Sequence, residues 1–174
     1  MSEKSEIRNP KSEIAFIALG SNLGDSRKNI LNAMARLQCF SDEPILKSSL
    51  WQTSPVDCPP DSPKFVNAVA GIIPRKDETP ESLLKKLREL ETEFGRKPKM
   101  VLNEPRQLDL DLIAFRNVTR SSPELTLPHP RAHLRRFVLQ PLCEIAPELI
   151  LPGQGKTVAQ LLTDLPEDKT IKQL

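Results

Sequence analysis

The chain has no tyrosine, one tryptophan and six phenylalanines among its 174 residues. It therefore lacks the aromatic-rich strand that stacks on unpaired bases, and RNA binding is unsupported. Charge of one sign is equally scarce: 25 basic residues face 23 acidic ones. That balance excludes the broad basic field that draws a protein to nucleic acid or an anionic membrane. No apolar run reaches the ~20 residues that a membrane-spanning helix needs. Met1 to Glu13 is polar and charged, with no apolar signal core. It is expected to be a flexible tail, residues 1–13, on a cytoplasmic protein. Cys39, Cys58 and Cys143 are odd in number and widely spaced, with no C-x-x-C or Cys/His metal pattern. They read as reduced thiols. No G-x-x-x-x-G-K-[ST] stretch is present, so a P-loop is excluded. Gly20-Ser21-Asn22-Leu23-Gly24 lacks the dinucleotide-binding spacing, and Gly153-Gln154-Gly155-Lys156 reads as a turn.

Proline, by contrast, is abundant at 17 residues. It falls between periodic segments and marks ordered turns. The length suits one domain with a real core, expected over residues 14–174. Ile14 to Leu19 is an almost unbroken apolar run, as in a strand buried on both faces. After the Gly20–Gly24 turn, Asp25 or Ser26 can cap a helix carrying Ile30, Met34 and Leu37 at i, i+4, i+7. Ile45 to Thr53 and Phe65 to Ile73 read as strands, with a Pro/Asp-rich loop between them. A second helix is punctuated at both ends. Thr79 is its N-cap, Pro80 its first residue, and Gly95 its stop, with Leu83, Leu87, Leu90 and Phe94 on one stripe. The next strand is Pro105 to Phe115. The order β-α-β-β-α-β predicts an α+β, ferredoxin-like core: an antiparallel sheet with helices on one face. A short hairpin-like stretch, a Pro/Arg-rich segment and a final helix near Thr157 to Leu165 follow as C-terminal elaborations.

Chemistry concentrates on the 105–115 strand. At period two, Asp109 and Asp111 project from the side opposite Leu108, Leu110 and Leu112. Their Cα atoms should lie about 6.6 Å apart at a rise of roughly 3.3 Å per residue. Two partly buried carboxylates that close resist ionisation unless a cation joins them. Asp-x-Asp is also common as a pair of solvated side chains. Here the strand continues into apolar residues, and Arg106 stands three positions ahead, which favours a divalent cation and a phosphate-bearing substrate. Phe65 and Asn67 share a face of their strand. Together they could bind a flat heterocycle by stacking and edge hydrogen bonds, or Asn67 could simply tie down a loop. Glu91 falls on the border of its helix stripe, either solvated or facing a ligand. Arg96, Lys97, Lys99 and Arg106 surround the loop from Gly95 to Glu104 and could handle phosphate. Leu127 to Phe137 holds both histidines and Arg131, Arg135 and Arg136, a density of cations suited to an anion.

These pieces together resemble the 6-hydroxymethyl-7,8-dihydropterin pyrophosphokinase family of folate biosynthesis. The matching stretches are Ala18-Leu19-Gly20-Ser21-Asn22-Leu23-Gly24, Thr53-Ser54-Pro55, Phe65-Val66-Asn67-Ala68, Glu91…Gly95-Arg96, Pro105 to Asp111, Leu127-Pro128-His129-Pro130…Arg135-Arg136-Phe137, and Pro141 to Pro147. The resemblance implies transfer of pyrophosphate from ATP to the pterin hydroxymethyl group, with release of AMP. It implies Asp109 and Asp111 as ligands of two Mg²⁺ ions, with Arg96 and Arg106 beside them as catalytic cations. It implies ATP contacts from Glu91, Arg106, Leu112, Thr126, His129 and Arg135. Pterin contacts would come from Thr53, Ser54, Pro55, Val56, Phe65, Asn67 and Phe137. The partners implied are the two small substrates alone, on a monomer. One stretch departs from the family pattern: Pro98, Leu102 and Asn103-Glu104 stand where many relatives carry Arg, Arg and Trp-Gly. A non-catalytic relative that keeps the pocket with a degenerate loop is the alternative.

Overall fold

The computed structural model describes residues 13–55, 58–98, 100 and 102–174. The expected tail, apart from Glu13, lies outside them, as does Val56. Strand β1 (Ala15–Ser21) leads into helix α1 (Ser26–Leu37), then β2 (Leu46–Lys47), β3 (Trp51–Thr53) and β4 (Phe65–Ile72). Helix α2 (Pro80–Glu93), β5 (Asp109–Phe115) and the hairpin β6 (Arg120–Ser121) and β7 (Thr126–Leu127) follow. Helices α3 (Arg136–Ile145) and α4 (Val158–Asp164) and strand β8 (Lys172–Gln173) complete the order. The main sheet runs β5-β1-β4-β3-β8, with β2 also on β4, and every pairing is antiparallel.

Local chemistry sets the helix ends. The Asp25 carboxylate accepts the Lys28 N–H and starts α1. Thr79 and Ser82 form a reciprocal capping box ahead of α2, with Pro80 at the first position. Gly95 takes φ +95° just past the helix, where any side chain would also crowd Gln107 Oε1 at 3.1 Å.

One face of the sheet packs on α1 and α2. Ile17, Leu19, Ala68, Ala70, Leu110 and Leu112 meet Ile30, Met34, Leu37, Leu83, Leu87 and Leu90 there. Each fully buried leucine contributes about 1.5–3 kcal/mol by leaving water. The other face packs Phe16, Val69 and Ile113 against Val138, Leu139, Leu142 and Val158. The helices thus lie on both faces, not on one alone. The expectation holds for α1 and α2, whereas α3 and α4 cover the opposite side.

Three further differences have local causes. The 45–53 strand is two short strands, because Ser48 turns its hydroxyl inward to accept the Val69 N–H at 2.9 Å. The 105–115 strand begins only at Asp109. Before it, Arg106 exchanges bonds with Asn22 instead of a strand: its N–H donates to Asn22 Oδ1 at 2.9 Å, and its carbonyl accepts the Asn22 N–H at 3.1 Å. Helix α3 is not among the elements that the sequence predicts. Pro141 sits inside it and arginines open it, which hides the apolar positions Val138, Leu139, Leu142 and Ile145.

Candidate active site

The register assembles the site. Gly20 pairs with Asp109 on one side and Asn67 on the other, while Ala18 pairs with Asp111 and Val69. Directly opposite residues share a face. Both carboxylates therefore stand on the α3 side of the sheet, in line with Asn67. On that face α3 and α4 cover only part of the sheet. The rest opens as a cleft of about 640 Å³ that reaches from Thr53 and Phe65 to Arg88 and Asp111.

At one end are the acids. Asp109 Oδ1 lies 3.2 Å from Arg96 Nη1 and 3.1 Å from Arg106 Nη1. Arg96 also pairs with Glu91, which Arg88 contacts from the other side. Glu91 is not on the border of its helix stripe, as the sequence suggested. It is fully buried, and its Oε1 also accepts the Leu110 N–H at 3.2 Å. It sits behind the arginines and holds them. Arg88, which no motif flagged, lines the cleft and donates to the Leu110 carbonyl at 3.0 Å.

Asp111 is pushed up to about 6 because burial strips its carboxyl of water and Asp109 adds a like charge. Arg88, Arg135 and Arg106 oppose that rise without cancelling it. A carboxyl whose folded value lies above its ordinary 3.8 favours the protonated form, so its charge destabilises the ligand-free protein as pH rises through about 6. Asp111→Asn should therefore stabilise the ligand-free protein above pH ~6 by on the order of 2–3 kcal/mol, and hardly at all below pH ~4. Urea unfolding of both proteins across that range checks it. An equal effect at both ends would contradict the burial argument.

His129 forms the adjoining wall. Its backbone N–H donates to the Ile113 carbonyl at 2.8 Å, which fixes the segment to β5. Burial, with Arg135 and Arg131 nearby, holds its imidazole below the usual histidine range. Nδ1 accepts the Arg131 N–H at 3.1 Å, so the neutral ring carries its proton on Nε2. Arg131 and Arg135 also line the cleft. With Arg88, Arg96, Arg106 and Arg136 they outnumber its acids, Asp109, Asp111 and Asp168.

The other end is flat and apolar with a polar edge. Phe65 and Phe137 line it with Thr53, Ser54 and Asn67. Asn67 Nδ2 donates to Thr53 Oγ1 at 2.6 Å. Gly20 leaves room beside it, since a Cβ there would lie 3.2 Å from Asn67 Oδ1. The Arg135 guanidinium stands 5.5 Å from the Phe137 ring centroid and joins the two ends.

Of the expected site residues, the cleft thus gathers Thr53, Ser54, Phe65, Asn67, Arg96, Arg106, Asp109, Asp111, His129, Arg135 and Phe137. Pro55, Glu91, Leu112 and Thr126 are not among its lining residues. Leu112 points its side chain into the core on the opposite face. Arg88, Asp168 and Ile171 line the cleft without any motif that marks them, whereas Asn22, part of the Gly20–Gly24 turn, is buried outside the lining and braces the Arg106 backbone. No group of three or more His, Cys, Asp or Glu side chains suited to a metal ion occurs among the described residues. None of their helices is long and apolar enough to cross a membrane.

A mixed helix and antiparallel-sheet protein with an acidic pair inside a cationic cleft belongs to the class built to grip a polyphosphate. Residues 16–147 match the family described as 7,8-dihydro-6-hydroxymethylpterin-pyrophosphokinase, and the chain belongs to that family. It is 36% identical over 148 residues to the 2-amino-4-hydroxy-6-hydroxymethyldihydropteridine pyrophosphokinase of Synechocystis, covering 85% of this chain and 74% of that protein. The Haemophilus influenzae protein of the same description is 35% identical, with 91% of this chain and 96% of that one covered. Longer proteins match over a part. The chain spans 21% of the folic acid synthesis protein fol1 of Schizosaccharomyces pombe, at 34% identity over 90% of its own length. Its fold is shared with the Plasmodium falciparum HPPK-DHPS crystallised with pteroate, at TM-score 0.72 and 13% identity, over 92% of this chain and 47% of that one.

Proposed function

We propose that this protein transfers pyrophosphate from ATP to the hydroxymethyl oxygen of 6-hydroxymethyl-7,8-dihydropterin, giving the pterin diphosphate and AMP, a step of folate biosynthesis. The observation that carries this reading is the single sheet face. It sets Asp109 and Asp111 in one cleft with Phe65, Asn67 and Phe137. An acid pair alone would suit any phosphohydrolase, and the flat end beside it calls for a heterocyclic acceptor.

The roles divide along the cleft. Phe65 and Phe137 sandwich the pterin, and Asn67 and the backbone of Thr53 to Pro55 read its edge. Val56 belongs to the same proposed set and lies outside the described residues. Arg96, Arg106, His129 Nε2–H and Arg135 neutralise the triphosphate. Glu91 acts toward ATP through Arg88 and Arg96, and the backbone near Leu112 and Thr126 borders the nucleotide. Asp109 and Asp111 fit a divalent cation. Both are hard oxygen donors, and burial with the like charge of Asp109 raises the Asp111 carboxyl, a cost that a cation bound between the two would relieve. Two protein carboxylates also suit Mg²⁺, which usually takes its remaining ligands from water and substrate phosphates. Two such ions, when bound, would screen the phosphates and favour the ionised form of the attacking hydroxyl. No protein nucleophile is required. The residues position the substrate hydroxyl in line with the phosphorus and hold the developing charge.

We read the core as ferredoxin-like, supported by the β1-α1-β3-β4-α2-β5 succession and the β5-β1-β4-β3 strand order. A single domain over 14–174, a monomeric state and a cytoplasmic location complete the proposal. A non-catalytic binder is the second reading. It is favoured by the loop where Met100 and Leu102 stand exposed at 87% and 76%. A coupled AMP assay separates the two. AMP should appear only with Mg²⁺ and the dihydropterin together. Tight pterin binding without AMP would leave the binder, and phosphate release from ATP alone would overturn both.

Phe137→Ala should weaken pterin affinity. Ring stacking is worth about 0.5–1.5 kcal/mol beyond area burial. Calorimetry with a non-hydrolysable ATP analogue present would measure it, and unchanged affinity would count against the sandwich.

A further inference from the structure

We propose that Ile171 is a specificity-determining residue that closes the pterin end of the cleft, a role that rests on the pterin reading above. Strand β8 pairs antiparallel with β3, with Trp51 opposite Gln173 and Gln52 opposite Lys172. Continued by one residue, that register sets Ile171 opposite Thr53. Thr53 in turn faces Phe65 across β4. Ile171 and Gln173 are two apart and so share a face of the strand. Gln173 lies in the row of Trp51, Asn67, Gly20 and Asp109. The Ile171 side chain is therefore on the face that carries the acids, at the far end of the row that begins with Phe65. It lines the cleft there and is half-buried.

The segment that carries it is built in from both sides. On the sheet side, the Leu174 N–H donates to the Leu50 carbonyl at 2.9 Å, and Gln173 Nε2 donates to Ser49 Oγ at 3.0 Å. On the helix side, Arg136 donates to the carbonyls of Pro166 at 3.0 Å, Leu165 at 2.9 Å and Leu162 at 3.4 Å. Between these anchors Asp168 Oδ1 accepts the Thr170 N–H at 2.9 Å and its hydroxyl at 2.6 Å, which sets the turn into Ile171. Arg136 immediately precedes Phe137. The wall and the aromatic ring thus hang from the same turn of α3. A flat bicycle between Phe65 and Phe137 would then meet an apolar, branched side chain beside the polar Thr53, Ser54 and Asn67. The ligand edge at Ile171 is selected by shape and by aversion to charge.

The test uses the full chain and three ligand titrations. Ile171→Ala should weaken binding of 6-hydroxymethylpterin, measured with an ATP analogue present, on the order of tenfold, as expected for the apolar contact removed. Affinity for the ATP analogue alone should stay as in the unaltered protein, and Ile171→Val should recover most of the pterin affinity. Pterin affinity unchanged in Ile171→Ala overturns the assignment and leaves the pyrophosphokinase reading intact. A parallel loss of pterin and nucleotide affinity also overturns it, since that marks a purely structural residue. An unaltered protein that fails to bind the pterin at all sinks both.

Discussion

Asp111→Ala is expected to lower turnover at least about a thousandfold, the scale of losing a principal electrostatic support of the transition state. Its carboxyl is pushed up to about 6, because it is held out of water beside Asp109. A fold keeps such a destabilising group only against a compensating gain, and here the gain comes when positive charge arrives. Pterin affinity in the presence of a nucleotide analogue should fall much less, since Phe65, Asn67 and Phe137 are untouched. The Asp111→Asn protein should combine the two effects: stabler than its parent above pH ~6 and equally inactive. Single-turnover AMP release measures the first quantity and calorimetry the second. Turnover surviving in Asp111→Ala would remove the metal assignment.

The largest loss of stability is expected from Glu91→Ala. Glu91 is fully buried and holds Arg88, Arg96 and the Leu110 N–H at once. Alanine would leave the buried amide unpaired and the Arg96 guanidinium without its innermost counter-charge. Breaking a buried pair from one side costs about 3–5 kcal/mol. The Arg88 contact adds little, because that side chain is 48% exposed and screened by water. For a chain of this size the loss corresponds to a drop in Tm of roughly 10 °C. Glu91→Gln keeps an acceptor for Leu110 and should lose less. Calorimetric melting of the two variants decides this, and a Tm for Glu91→Ala close to that of the parent would refute it. Activity should fall in the surviving folded protein as well, since Arg96 also braces Asp109.

What was legible in the sequence follows from periodicity and punctuation. Helix α2 was readable because Thr79, Pro80 and Gly95 mark its ends and its leucines keep one stripe. The acid pair was readable because a strand alternates strictly, so Asp109 and Asp111 must share a side. The depth of Glu91 was not. A border position on a helical wheel becomes buried only when β5 closes over it, and that contact, through Leu110, is 19 residues away in sequence, while the nearby Arg88 and Arg96 give no local sign of depth. Helix α3 escaped because Pro141 argues locally against a helix, while the packing of Val138, Leu139 and Leu142 on Phe16 and Val69 overrides it. The wall at Ile171 was invisible for a similar reason. Two residues of β8 carry no periodic signal, and only the register with β3 gives them a place.

The short bond from Asn67 to Thr53 has a consequence for how the cleft discriminates. One N–H of the amide is already committed, and the bare Cα of Gly20 leaves its oxygen undisturbed. The amide is thus held in place before any ligand arrives, and swinging it away from Thr53 would break a buried bond. On the proposed pterin reading, a heterocycle whose hydrogen-bonding edge runs in the opposite sense would have to reverse both the amide and the Thr53 hydroxyl to be accepted. That reversal would disfavour it even where its outline fits, while the matching ligand would bind without the entropic cost of aligning its host.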